Sequence, residues 1–150
     1  LESDWRFLRL EAIVRRVLVF RIKSGEDLLK AIKERAEKHN VSSGFFMVIG
    51  TVKNARIAFF KGKGKYAINE FNEDLEILSC IGNISKRNGE TVVHAHIVLG
   101  REDGTVIGGH LMEDSKISAT GELFIFDASD LNLRRELDEE TGLYLLALDE

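Results

Sequence analysis

The chain has 150 residues, 44% of them hydrophobic and 31% charged, with a formal net charge of −4 at pH 7. That length and balance describe one globular domain, 1–150, with a core of its own, and exclude a low-complexity or disordered polymer. The acidic sign disfavours nucleic acid as the main partner, because phosphate binding needs a basic face.

No apolar run is long enough to span a membrane, and no three-part signal peptide is visible, so no membrane partner is expected. The chain opens on Leu1 rather than Met, and the expectation is that its true start is missing or that a tag remnant replaces it. Cys80 is the single cysteine, which excludes an internal disulfide and points to a reducing cytoplasm. It lies in an apolar run and reads as a small core residue rather than a nucleophile.

Residues 1–12 are ambiguous between a short helix after Ser3 and an edge segment carrying Trp5, Phe7, Leu8 and Leu10. Val14 to Ile22 is apolar on both faces and rich in β-favouring residues, so a strand is expected. Ser24-Gly25-Glu26-Asp27 has capping-box spacing and predicts a helix starting at Ser24 and ending near His39-Asn40. Leu28, Leu29, Ile32 and Ala36 form its apolar stripe, and Glu26/Lys30 and Glu34/Lys38 its exposed pairs. His39 reads as a solvated residue near that helix end.

From Gly44 the pattern is strand, with Gly50 a bend or bulge. Lys61-Gly62-Lys63-Gly64-Lys65 reads as a solvated hairpin tip, because it lacks the spacing of a phosphate-binding loop and the helix that follows one. Tyr66–Phe71 and Leu75–Ile84 continue the strands, and Lys86–Gly89 is a turn. Lys116–Phe126 is a strand, Asp127–Asp130 a turn, Leu131–Leu137 a short helical turn, and the closing LYLLAL a strand. The class is α+β: a central, largely antiparallel sheet of about seven strands, one main helix and short flanking helices.

Between the Lys86–Gly89 turn and the Lys116–Phe126 strand lies TVVHAHIVLG-REDG-TVIGGHL, which holds three of the four histidines. His94 and His96 are two apart on a strand and share a face. A three-residue loop, Glu102-Asp103-Gly104, pairs Arg101 with Thr105 and sets His110 directly opposite His96. Opposed residues share a face with Cβ atoms about 4.5–5.5 Å apart. A loop one residue shorter or longer sends His110 to the other face, and a bulge at Gly108-Gly109 shifts the register. On the first arrangement His94, His96 and His110 are candidate metal ligands, with Zn²⁺ the expected ion and a fourth position open. The alternative is three separate, hydrogen-bonded structural histidines.

Four stretches carry a family resemblance: GEDLLKAI at Gly25–Ile32, SGFFMVIGTVKNA at Ser43–Ala55, LEILSCIGNIS at Leu75–Ser85, and VHAHIVLG…DGTVIGGHL from Val93 to Leu111. Together they resemble the PPC (plants and prokaryotes conserved) domain, in its stand-alone prokaryotic form. The resemblance implies a compact domain on a central antiparallel sheet, assembly as a homotrimer, and a metal site at positions matching His94, His96 and His110. Plant members place the domain after an AT-hook and contact partner proteins through a segment resembling GRFEIL. Glu73-Asp74-Leu75-Glu76-Ile77-Leu78 keeps the EIL core and lacks the Gly-Arg start. An AT-hook needs an Arg-Gly-Arg-Pro core, which a chain with no proline cannot contain.

The expected function is therefore a homotrimeric, zinc-binding module for a small ligand. One alternative is a zinc-dependent enzyme on a small molecule, with Glu113, Asp114 or Glu122 as the base beside zinc-bound water. A second is a DNA-associated or protein-interaction role like that of the plant relatives. No catalytic residue can be assigned from the sequence, and an organic cofactor is not expected.

Overall fold

The computed structural model describes residues 10–147. The reading of residues 1–12 falls mostly outside that span, as does Leu148 at the end of the closing strand. Strand β1 (Arg16–Lys23) leads to helix α1 (Leu28–Lys38) and then to β2 (Gly44–Val52) and β3 (Ala55–Gly62). Next come β4 (Lys65–Phe71), β5 (Leu75–Arg87), β6 (Glu90–Gly100) and β7 (Val106–Leu111). Then follow β8 (Ile117–Asp127), a 3-10 turn at Ser129–Leu131, β9 (Arg134–Asp138) and β10 (Leu143–Ala147).

All ten strands join one sheet, ordered β1-β8-β2-β5-β6-β7-β3-β4, with β9 and β10 attached at the end of β5. Pairing is antiparallel except for one parallel step, Lys86 to Arg134. Two expectations are corrected here. The sheet has ten strands rather than about seven, and the short flanking helices reduce to the single 3-10 turn among the described residues. The reason is local. Leu131–Leu137 was expected to be a helical turn, but Leu131, Leu133 and Leu137 alternate with polar residues at strand period. Residues 134–138 then gain a full antiparallel partner in 143–147, which a single helical turn could not supply.

The helix cap is corrected too. Asp27, not Ser24, is the N-cap: its Oδ1 accepts from Lys30 N at 3.0 Å. Ser24-Gly25 is a turn with Gly25 at φ +87°, and Glu26 pairs across the helix with Arg35 at 3.1 Å. His39 is the C-cap, and its ring packs on Phe20 at 5.1 Å between centroids rather than standing free in solvent.

The core lies on the helix side of the sheet. Leu28, Ala31, Ile32 and Ala36 of α1 are buried against Ile22, Phe46, Val48, Ile84, Ile97, Leu123 and Ile125. Cys80 is fully buried with them, and burial pushes its thiol up to about 12, which makes it the inert core residue expected. Gly50 is the expected irregularity: φ is +143° and the β2–β5 register shifts beside it. Among the described residues no helix is long and apolar enough to cross a membrane.

Candidate metal centre

Strand β6 turns His94 and His96 to the face away from α1, because its alternate residues Ala95 and Ile97 fill the core. The following loop decides what meets them. Arg101 N donates to Thr105 O and Gly104 N to Arg101 O, both at 2.9 Å, and Gly104 has φ +82°. Asp103 Oδ1 fixes the turn by accepting from Thr105 N and Oγ1 at 2.9 and 2.6 Å. The tight loop sets His110 directly opposite His96, with no register shift along β6–β7. Gly108-Gly109 is therefore not a bulge. An added Cβ at Gly109 would stand 2.9 Å from the Ala58 carbonyl oxygen, so glycine there lets β3 close on β7 beside His110.

The three rings converge. Centroid separations are 5.1 Å for His94–His96, 5.1 Å for His94–His110 and 5.7 Å for His96–His110. One ring nitrogen from each lies within 4.8 Å of the others, and His94 Nε2 and His96 Nε2 are 3.3 Å apart. A tetrahedral zinc holds nitrogens at about 2.0–2.1 Å, which places two of them about 3.3–3.4 Å from each other. The donor set and its spacing fit such an ion.

Electrostatics favour the neutral ring at His94 and His110, the form that offers a lone pair to a metal. Burial, then the neighbouring His110, Arg135 and His96, hold His94 down at about 4. Burial, then His96 and Arg135, lower His110 as well. Arg135 anchors the back of the site: Nε donates to Ser85 Oγ at 2.9 Å, Nη1 to Tyr144 O at 2.9 Å and Nη2 to Asn83 Oδ1 at 2.8 Å. Asn83 is the cross-strand partner of His94, and Arg135 Nη2 lies 3.4 Å from His94 Nδ1.

The histidines open into a cavity of about 930 Å³, roofed by β9–β10 and walled by Phe60, Tyr66, Arg87, Arg135 and Tyr144. Among the described residues no carboxylate lines it. Glu113 instead pairs with Lys30 at 3.2 Å, and Asp114 N donates to Asp27 Oδ2 at 2.6 Å. Glu122 sits on β8, with β2 and β5 between it and β6. Arg87, Arg135 and Tyr144 are the site residues that sequence reasoning missed. Arg135 lay in the segment expected to be helical, although the Leu131/Leu133/Leu137 alternation there was a readable strand signal.

The described sheet is ten-stranded and almost wholly antiparallel, and its helix-free face carries three clustered histidines that could hold a metal ion. The family profile of the Plants and Prokaryotes Conserved (PCC) domain matches residues 10–129, and this chain belongs to that family. A PPC protein from Pyrococcus horikoshii is 33% identical over 93% of this chain and 96% of its own, with a TM-score of 0.86. A metal-containing protein from Archaeoglobus fulgidus is 33% identical over 91% of this chain and 96% of its own, with a TM-score of 0.84. A structure from Bacteroides thetaiotaomicron whose name offers DNA binding as a conjecture is 26% identical over 91% of this chain, with a TM-score of 0.84. Among curated proteins, the bifunctional protein GlmU of a Synechococcus strain is 26% identical over 89% of this chain. The chain spans only 21% of that relative's length.

Proposed function

We propose that this chain is a homotrimeric metal-binding module of the cytoplasm, in which His94, His96 and His110 hold a zinc ion and leave one position for a small ligand. The observation that carries the reading is the convergence of three ring nitrogens within 4.8 Å, two of them at 3.3 Å. The metal-containing relative from Archaeoglobus fulgidus supports it. An enzyme of the zinc-hydrolase kind needs an acid or base beside the open position. With no carboxylate among the described residues of the cavity wall, a binding module is the better-supported reading. A net charge of −4 weighs against nucleic acid as the main partner.

Mass spectrometry of untagged protein tests the site. The expected content is about one zinc per chain, the stoichiometry of a three-histidine site with one open position. His96→Ala should lose it and His39→Ala should keep it. Equal metal in the two variants would overturn the assignment.

A further inference from the structure

The charges around the histidine cavity do not balance. Arg16, Arg35, Arg56 and Arg101 each have a carboxylate within 3.1 Å. Arg87 and Arg135 have no such partner among the described residues, and none of the described residues lining their cavity is acidic. Arg135 is held by three neutral oxygens, those of Ser85, Asn83 and Tyr144. Those contacts fix the direction of the guanidinium without neutralising it. Arg87 sits over the Tyr144 ring, its guanidinium carbon 4.6 Å from the centroid, and makes no side-chain hydrogen bond among the described residues. Burial and the nearby Arg87 both press on the charge of Arg135. Two unneutralised cations lining one partly buried cavity are costly to keep together unless an anion joins them.

The walls specify the rest of the ligand. Phe60 and Tyr66 pack at 5.5 Å, and Tyr66 reaches His110 at 5.6 Å, so a shelf of rings runs from the cavity mouth to the histidines. Tyr144 lines the same cavity. Tyr144 and Arg135 belong to β9–β10, which follows the family match at residues 10–129. The hairpin is held over the face at both ends: Lys86 N donates to Leu133 O, and Gly64 N donates to Thr141 O, each at 2.9 Å.

We propose that this cavity binds a small oxyanion on a flat apolar body, an aryl carboxylate or aryl phosphate, with Arg87 and Arg135 clamping the anion and the aromatic shelf taking the ring. The inference rests on the metal-module reading only for the occupant of the histidine end; the arginine clamp stands without it. The hairpin beyond the family match thus supplies one of the two clamping arginines, Arg135, and Arg87 comes from β5.

Calorimetric titration of phenyl phosphate into zinc-treated protein tests this, with benzoate and neutral benzyl alcohol alongside and zinc measured separately in each sample. Phenyl phosphate, benzoate or both should bind the wild type well above benzyl alcohol, and the tighter of the two names the oxyanion. Arg87→Gln and Arg135→Gln should each weaken that binding by about tenfold or more, the scale of a lost charge-assisted contact, with zinc content kept. Arg87→Gln is the safer variant, since Arg87 makes no side-chain hydrogen bond that positions β9. Equal affinities in wild type and both glutamine variants, or benzyl alcohol binding as tightly as the anions, would overturn the proposal. If the wild type takes up no zinc, the metal reading fails alone. Arginine-dependent anion binding in that metal-free protein still upholds the clamp, and its absence removes it.

Discussion

At the residue scale, His94 is the group on which the site turns. Its folded value of about 4 lies below the ordinary 6.5, chiefly because burial disfavours the charged ring. Between those two values the unfolded chain binds more protons than the folded one, so stability rises with pH across the interval. The contribution is complete above pH 6.5 and is lost as pH falls toward 4, and the downward shift of His110 adds in the same direction. Metal-free protein in chelator should therefore unfold at lower urea at pH 4.5 than at pH 7.5. His94→Gln should flatten that difference, and an unchanged pH slope in the variant would remove His94 as its source. A metal on His94 Nε2 also requires the ring proton on Nδ1, the atom that Arg135 Nη2 faces at 3.4 Å. Loading the site must therefore turn that donor away from the ring.

At the element scale, the β6–β7 hairpin was legible because short-range chemistry fixes it. An Asp-Gly loop end, a left-handed glycine and strand alternation suffice to place His110 opposite His96, and none of them depends on distant packing. The closing strand β10 was legible as a strand, but β9 was expected to be helical. The placement of β9 over the histidines depends on β5 and on the β3–β4 tip, which lie far away in sequence. The helix start was misjudged for a related reason. Ser24 and Asp27 are both competent caps, and the contact of Asp27 Oδ2 with Asp114 N, which no local pattern reveals, accompanies the choice. The support of the site also contains a glycine whose role only packing discloses. A Cβ on Gly82 of β5 would lie 2.0 Å from the His94 carbonyl oxygen and 2.6 Å from the Phe46 ring. Gly82→Ala should cost about 1–3 kcal/mol, the usual penalty for overpacking. It should also reduce metal uptake by pushing β6 off β5. Wild-type urea stability in that variant would show that the strands have slack at this point.

At the scale of the whole molecule, the helix-free face of the sheet remains to be accounted for. Cross-strand register puts Val19, Phe124, Met47, Ile81 and His96 in one row across β1, β8, β2, β5 and β6. The four apolar members are 60%, 40%, 49% and 55% exposed in the single chain. A neighbouring row runs Val17, Phe126, Phe45, Asn83 and His94, with Phe45 and Phe126 stacked at 4.3 Å. A contiguous apolar surface of this kind marks a protein interface rather than a solvated face. Because both rows end on histidines, the surface that would bring copies together is continuous with the metal site. Light scattering of the wild type should give three times the 16.9 kDa chain mass. Met47→Glu places a charge in the middle of the row at a position outside the core, where folding stability changes by only about 0.5 kcal/mol. It should leave a folded monomer with weakened zinc retention. A wild type that scatters as a single chain would sink the assembly. A monomeric Met47→Glu that keeps zinc as tightly as the wild type would separate the interface from the site and leave each histidine cluster complete within its own subunit.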